Sequence, residues 1–401
     1  MPDVIMFCFA GREPNMRLQL PFIRRILDEH PNIRWDCWNF AGNCGIGGNR
    51  QDSDRDYVAS ISGERIRVIN DHGPMQHNEA YRYYASNSAY RDVLFVKHDD
   101  DVVFWETARF DLFLDAVDKH RGACVTANVV HNGACAPLQP TWRDVTRLNV
   151  PILDIHKSQE FGDVCHRHFL DHPDAYLRQT PELIRTDDWL SINLVGYDWP
   201  TLRYCIDTIG TPHPEYLAGR HMLVKGKWHY GKTFGDEGTF QTLNRIIVKG
   251  FCAVHLTYGP QRQPEPKLAR WRARYARVGA DYLADAAPEA LPLPALSPDV
   301  VRGYTHEAPP PPPDWHARYR GDGWSRRKIM RTVANSHRGV VNKIGRQNEA
   351  QTAEMFARMM SCPSEAQAAQ FARQWAACTN TKAERDLILA WWPDEDTDYG
   401  L

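Results

Sequence analysis

The chain predicts an α/β sandwich, a mainly parallel sheet covered by helices and followed by a small, mostly helical C-terminal region. Three observations carry that expectation. Short uninterrupted apolar runs such as Val4-Ile-Met-Phe-Cys-Phe-Ala10 suit strands buried on both faces. They alternate with segments whose apolar residues recur at helical spacing. Beyond about residue 260 the chain turns Pro-rich and then basic, which ends the alternation.

In order, the first strand ends at Gly11-Arg12, and Pro21 suits the first turn of a helix with Leu20, Ile23, Ile26 and Leu27 on one face. A second strand follows near 34–40, then a Gly-rich loop from Gly42 to Gly48 and a third strand near 65–69. A helix over 76–90 leads to the apolar strand 93–96. The helix 107–119 and the strand 123–130 continue the pattern, while the polar, His-rich centre 151–216 reads as loops and short helices. A helix from Phe234 to Ile247 and a last strand over 251–256 complete a catalytic-sized domain over 1–260. Pro264 to Pro266, Pro288 to Pro298 and Pro309 to Pro313 mark 261–314 as an extended linker or wrapping arm, since proline interrupts helices and central strands. Two capping-box sequences, at Ser364 and Thr381, predict short helices in the basic region 315–401.

Bulk properties narrow the class. A composition that is 43% hydrophobic builds a large core and excludes a disordered chain. The net charge of -2 gives no global attraction to nucleic acid or anionic membrane. No run approaches the roughly 18 apolar residues of a membrane span, and Met1 to Ala10 lacks the basic start of a signal peptide. Ten scattered cysteines without a CxxC pair fit free thiols in a reducing compartment, so the expected location is cytoplasmic.

The sharpest motif is Lys97-His98-Asp99-Asp100-Asp101-Val102, directly after a predicted strand. Successive carboxylates repel unless something positive lies among them. At the carboxyl end of a strand, where open α/β sheets bind ligands, a divalent cation bridging a diphosphate is the natural neutraliser. A solvated acidic turn is the bland reading, which the apolar flanks on both sides disfavour.

With Val103 and Phe104 after it, this segment resembles the DxD segment of the glycosyltransferases of the GT-A fold, in particular β-1,3-type members. Three further features fall in that family's order. The turn Asn70-Asp71-His72-Gly73 resembles its glycine loop, Gly235-Asp236-Glu237-Gly238 is similar to its xED motif, and His255 matches its C-terminal metal histidine. The resemblance covers about 3–260. It implies a GT-A-like (Rossmann-like) fold and a metal-dependent transfer of sugar from a nucleotide-sugar donor, UDP- or GDP-linked, to an acceptor hydroxyl. It also implies that Asp101, Asp99 and His255 hold Mn²⁺ or Mg²⁺, imidazole favouring Mn²⁺. Glu237 or Asp236 would activate the acceptor; the family more often has Glu-Asp than the Asp-Glu found here. Ala10, Gly11, Arg12 and Asn39, with Asp99, Asp100 and Lys232, would form the donor bed.

Other motifs compete. Gly226-Lys-Trp-His-Tyr-Gly231-Lys232-Thr233 fits the P-loop formula of an NTP-dependent phosphotransferase, but Trp228, His229 and Tyr230 crowd a loop meant to wrap phosphate. His156, Cys165, His166, His168 and His172 match no standard zinc spacing. Between Arg318 and Arg346 the basic residues, interleaved with Tyr319 and Trp324, face Asp322 as the only acid. That block suits a basic face packed on an acidic domain, or a nucleic-acid partner such as a modified DNA base as acceptor. A glycan, protein or small-molecule acceptor is favoured over it.

Overall fold

β1 (Val4–Ala10) is apolar and buried along its whole length, so it has room for a neighbour on each side. These are β2 (Ile33–Asn39) and β4 (Leu94–His98), both parallel to it. The computed structural model describes residues 3–39, 52–70, 77–209 and 235–304. Among them, β3 (Ile66–Ile69), β5 (Val102–Trp105), β6 (Cys124–Val130), β7 (Leu183–Thr186), β8 (Leu194–Asp198), β9 (Arg245–His255) and β10 (Leu296–Val301) complete one sheet in the order β10-β7-β9-β6-β8-β4-β1-β2-β3, with β5 on β9. The architecture is the expected α/β one, a mixed and mostly parallel sheet with helices. Because β1, β2, β4, β6 and β9 share one direction, their carboxyl ends open on one edge.

Helix α1 (Glu13–Glu29) starts earlier than the sequence suggests: Pro14 takes the first-turn place and Pro21 lies inside. The helix runs on past Pro21 because Phe22, Ile23, Ile26 and Leu27 bury one continuous face. Short helices α2 (Asp52–Ser60) and α3 (His77–Ala85) follow. Helix α4 (Phe110–Lys119) packs on β6, β8 and β9.

The centre corrects the expectation of loops and short helices. After the short α5 (Trp142–Arg147) comes α6 (Gln159–Asp171) of 13 residues, and β8 runs antiparallel between β4 and β6 in the middle of the sheet, leading into α7 (Trp199–Thr208). Gly196 hides β8 from pattern reading, because it interrupts the apolar run where α4 presses closest. A Cβ there would meet Val117 and lie 3.1 Å from Phe113 Cζ.

The expected helix 234–247 is likewise shorter. It is α8 (Asp236–Phe240), and β9 already begins at Arg245, where Ile246-Ile247-Val248 bond to β6 and β7. Branched residues suit this doubly paired position better than a helix. A register shift between Val248 and Cys252 bends the strand before its final run to His255.

Residues 261–304, expected as extended arm, contain α9 (Glu265–Asp285) and β10. Pro266 does not stop α9, because it occupies the first turn, where a missing N–H costs nothing. Tyr282 of α9 meets Phe22 of α1 and Phe104 of β5, and Phe104 also meets Phe169 of α6 with ring centroids 5.2 Å apart. One aromatic joint thus ties the late helix to the sheet. Glu106, just past β5, accepts the backbone N–H groups of Arg178 and Cys252; burial pushes its carboxyl up to about 7 against those bonds and Arg109.

The chain divides into 1–209 with 236–305, and 210–235 with 306–401. The loop Gly42–Gly48, the P-loop-like stretch and the basic region 315–401 lie outside the described residues. Among the described residues the seven cysteines are free and buried, and no helix is long and apolar enough to cross a membrane.

Gly196→Ala should cost about 1–3 kcal/mol by forcing a methyl group into Val117 and Phe113. Chemical denaturation checks this; an unchanged midpoint would show that α4 moves away freely.

Candidate functional site

The turn from β4 to β5 holds Asp99, Asp100 and Asp101 at the edge where the parallel strands end. Leu256 donates its backbone N–H to the Asp101 carbonyl at 2.8 Å, and Val102 pairs with His255, so the end of β9 is fastened beside the acidic turn. His255 Nε2 then lies 3.2 Å from Asp101 Oδ1 and 3.8 Å from Asp99 Oδ2. The sequence separates these residues by about 150 positions; the β5–β9 pairing brings them together.

Asp99, Asp101 and His255 form a group whose ligand atoms all lie within 4.8 Å of one another. The Asp101 oxygens are buried and face Arg12 and His255, and Nδ1 of His255 is buried without a hydrogen bond. Two carboxylates and an imidazole converging within that distance fit a small divalent cation with oxygen and nitrogen ligands. His156, Cys165, His166, His168 and His172 form no such group. His166 instead bonds Tyr275 at 2.7 Å, and burial pushes its imidazole down to about 3.

Two cations balance the carboxylates. Lys97, almost fully buried at the end of β4, donates to Asp99 Oδ1 at 2.5 Å and to the Ile192 carbonyl at 2.8 Å. Burial works against its charge, but Asp99, Asp236 and Glu237 hold the ammonium above its ordinary value. Arg12 lies in the turn after β1 and reaches Asp100 through Nε at 2.8 Å and Asp101 through Nη1 at 2.9 Å. Burial likewise disfavours a charged Asp101, yet Arg12 and His255 hold its carboxyl well below the usual range.

Of the residues expected from sequence to form a donor bed, four lie at the ends of two adjacent strands. Ala10 and Asn39 are direct register partners at the ends of β1 and β2, with Gly11 and Arg12 following. Asn39 donates to Asn70 Oδ1 at 2.8 Å and to the Arg55 carbonyl at 3.1 Å, so its amide also ties β2 to α2 and to the end of β3. Asp71 to Gly73 and Lys232 lie outside the described residues.

Asp236 and Glu237 open α8. Trp189 Nε1 donates to Glu237 Oε1 at 2.7 Å, and Tyr81 OH lies 3.4 Å from Asp236 Oδ2. Enclosure and the neighbouring Asp236 push the Glu237 carboxyl up to about 7, against Trp189, Ser191 and Lys97. The segment before β8 connects the two halves: Trp189 holds Glu237, the Ile192 carbonyl holds Lys97, and Asn193 Nδ2 donates to Asp99 Oδ2 at 3.1 Å.

Sequence reasoning missed this segment. Asn193 carries no motif, although Asn132 and Tyr258 both donate to its Oδ1, at 2.9 and 3.1 Å, and thereby fix the amide that orients Asp99. Gln19 of α1, also missed, donates to the carbonyls of Asp99 and Val102 and shapes the turn. Lys97 stood within the motif and its position was the one available signal.

No protein-family model matches the chain, and no curated protein matches it in sequence. Among solved structures it is similar to a 4-diphosphocytidyl-2C-methyl-D-erythritol synthase from Anaerococcus prevotii, at 12% identity and a TM-score of 0.31, over 68% of this chain and 95% of that one. A likeness at that TM-score carries no weight for the function, which rests on the residues themselves.

Asn193→Ala removes one of the donors to the Asp99 carboxylate and, with Mn²⁺ as the probe of the candidate site, should weaken divalent-cation binding roughly 10–100-fold, as loss of a ligand's hydrogen-bond partner does. Titration of free Mn²⁺ by electron paramagnetic resonance measures this; unchanged affinity would mean that Asp99 needs no such orientation.

Proposed function

We propose that the chain is a metal-dependent glycosyltransferase that moves a sugar from a nucleotide-sugar donor, UDP- or GDP-linked, to an acceptor hydroxyl. The observation that carries this reading is the assembly of Asp99, Asp101 and His255 at the carboxyl edge of the sheet, with Glu237 joined to the same place through 189–193. The resemblance of the DxD and xED segments to GT-A glycosyltransferases supports the same class. Asp99, Asp101 and His255 would hold Mn²⁺ or Mg²⁺, the imidazole favouring Mn²⁺. A divalent ion held there would supply stabilisation of the negative charge on a leaving nucleoside diphosphate.

The chain's own groups supply the rest. Ala10, Gly11, Arg12 and Asn39 line the ends of β1 and β2 and would take the nucleotide, with Asp99 and Asp100 beside it. In an inverting transfer the acceptor oxygen bonds to the anomeric carbon as the bond from that carbon to phosphate oxygen breaks, and the acceptor's proton passes to a carboxylate. Glu237 suits this better than Asp236, because its raised carboxyl is poised near neutrality. Asp236 would then hold sugar hydroxyls.

Thermal shift and slow nucleotide release with UDP-, GDP-, TDP- and CMP-sugars plus Mn²⁺ test the class. One donor should stabilise the protein, and Asp101→Ala should remove the effect. A protein indifferent to every donor, or a mutant that responds as the wild type does, contradicts the reading. A shift by ATP that depends on Lys232 would instead favour the phosphotransferase.

The pH dependence has a definite sign. Glu237 must be ionised to accept a proton, and its carboxyl is raised to about 7, so transfer should rise with pH through about 7 and fall below it. With donor and acceptor identified, Glu237→Gln should lower kcat by roughly 10²–10⁴ and flatten that limb. An unaltered profile would remove Glu237 from the role of base.

A further inference from the structure

Asp101 presents its two oxygens to different partners. Oδ1 faces His255 Nε2 at 3.2 Å, whereas Oδ2 faces Arg12 Nη1 at 2.9 Å. The same guanidinium serves Asp100 through both Nε and Nη2. The side chains of Asp100 and Asp101 are 2% and 1% exposed, but that of Arg12 is 35% exposed. Two buried carboxylates therefore depend on one cation that reaches them from the solvent side.

Arg12 is the more accessible of the two cations at the acidic turn. Arg12 precedes α1 in non-helical backbone, makes no cap with its side chain, and sits in the turn at the end of β1. Lys97 differs: it is almost fully buried and tied to both Asp99 and the Ile192 carbonyl, so it stays. Three carboxylates here face two cations. A divalent ion on Asp99, Asp101 and His255 would shift that balance and set two positive charges close to the guanidinium, in surroundings that screen charge poorly. The phosphates of a nucleotide restore the balance and offer Arg12 the paired oxygens that a planar guanidinium binds best.

We propose that Arg12 and the divalent cation compete for Asp101, and that Arg12 passes from Asp101 to the diphosphate of the bound nucleotide, so that cation and diphosphate bind cooperatively. The proposal rests on the metal-site reading above. It adds that Arg12 opposes the cation when the cation binds alone and favours it when a diphosphate is present. Were Arg12 only a brace for the two carboxylates, its loss would weaken cation binding in both situations.

Mn²⁺ affinity, measured by electron paramagnetic resonance with and without UDP, separates these cases without any turnover. In the wild type UDP should tighten Mn²⁺ binding. In Arg12→Gln the affinity for Mn²⁺ alone should rise about tenfold, the usual size of such a coupling, and the gain from UDP should shrink. An affinity for Mn²⁺ alone that is unchanged or lower in the variant overturns the proposal. Arginine labelling by phenylglyoxal, read at Arg12 by peptide mass spectrometry in the wild type, decides the matter even if the variant does not fold. Mn²⁺ should speed labelling and Mn²⁺ with UDP should slow it again; a rate indifferent to Mn²⁺ overturns the proposal. A wild type that binds no Mn²⁺ with or without UDP overturns the metal-site reading and this proposal together, whereas Mn²⁺ binding lost in Asp101→Ala but insensitive to Arg12 overturns this proposal alone.

Discussion

Three carboxylates stand in succession at the end of a buried strand, two of them almost wholly out of solvent. Charged groups in such surroundings must be paired, because neither water nor distance relieves their repulsion. Much of the site follows from meeting that requirement. Lys97 approaches from the strand itself, Arg12 from the turn after β1, His255 from the end of β9, and Asn193 from the start of β8. Each of these residues is delivered by a different element, so the acidic turn is also a point where the sheet's connections converge.

The sheet's mixed direction makes that convergence possible. Parallel strands bring the ends of β1, β2, β4 and β9 to one edge, which is where ligand sites form in open α/β sheets. Antiparallel β8 adds its beginning to the same edge, and with it the segment 189–193 that reaches both Asp99 and Glu237. A wholly parallel sheet would place that segment at the far edge. The aromatic joint of Phe22, Phe104, Phe169 and Tyr282 holds α9 on this framework, so residues after 260 contribute to the stability of the unit that carries the site.

Where the sequence misled, the cause was local. Pro14 and Pro266 stand in first turns, and Pro21 is carried by a buried helix face, so proline near 264–266 did not mean extended chain. Gly196 broke the apolar run of β8 because α4 needs the space, and the signal of a central strand disappeared with it. Ile246 to Val248 continue an apolar pattern that reads as helix until both neighbouring strands are known.

The α/β class, the acidic turn after a buried strand, and the cluster of Ala10, Gly11, Arg12 and Asn39 at strand ends were legible from the chain alone. Each depends on residues close together in sequence, or on the general rule that parallel strands end together. The partners of those residues were decided by tertiary structure. His255 was joined to Asp99 and Asp101 beforehand only through the family resemblance, and nothing local to Asn193 or Trp189 marks them as supports for Asp99 and Glu237. Arg12 was expected at a nucleotide, and the fold places it on Asp100 and Asp101. Strand pairing and burial determine which charges meet, and both arise only when distant segments pack together.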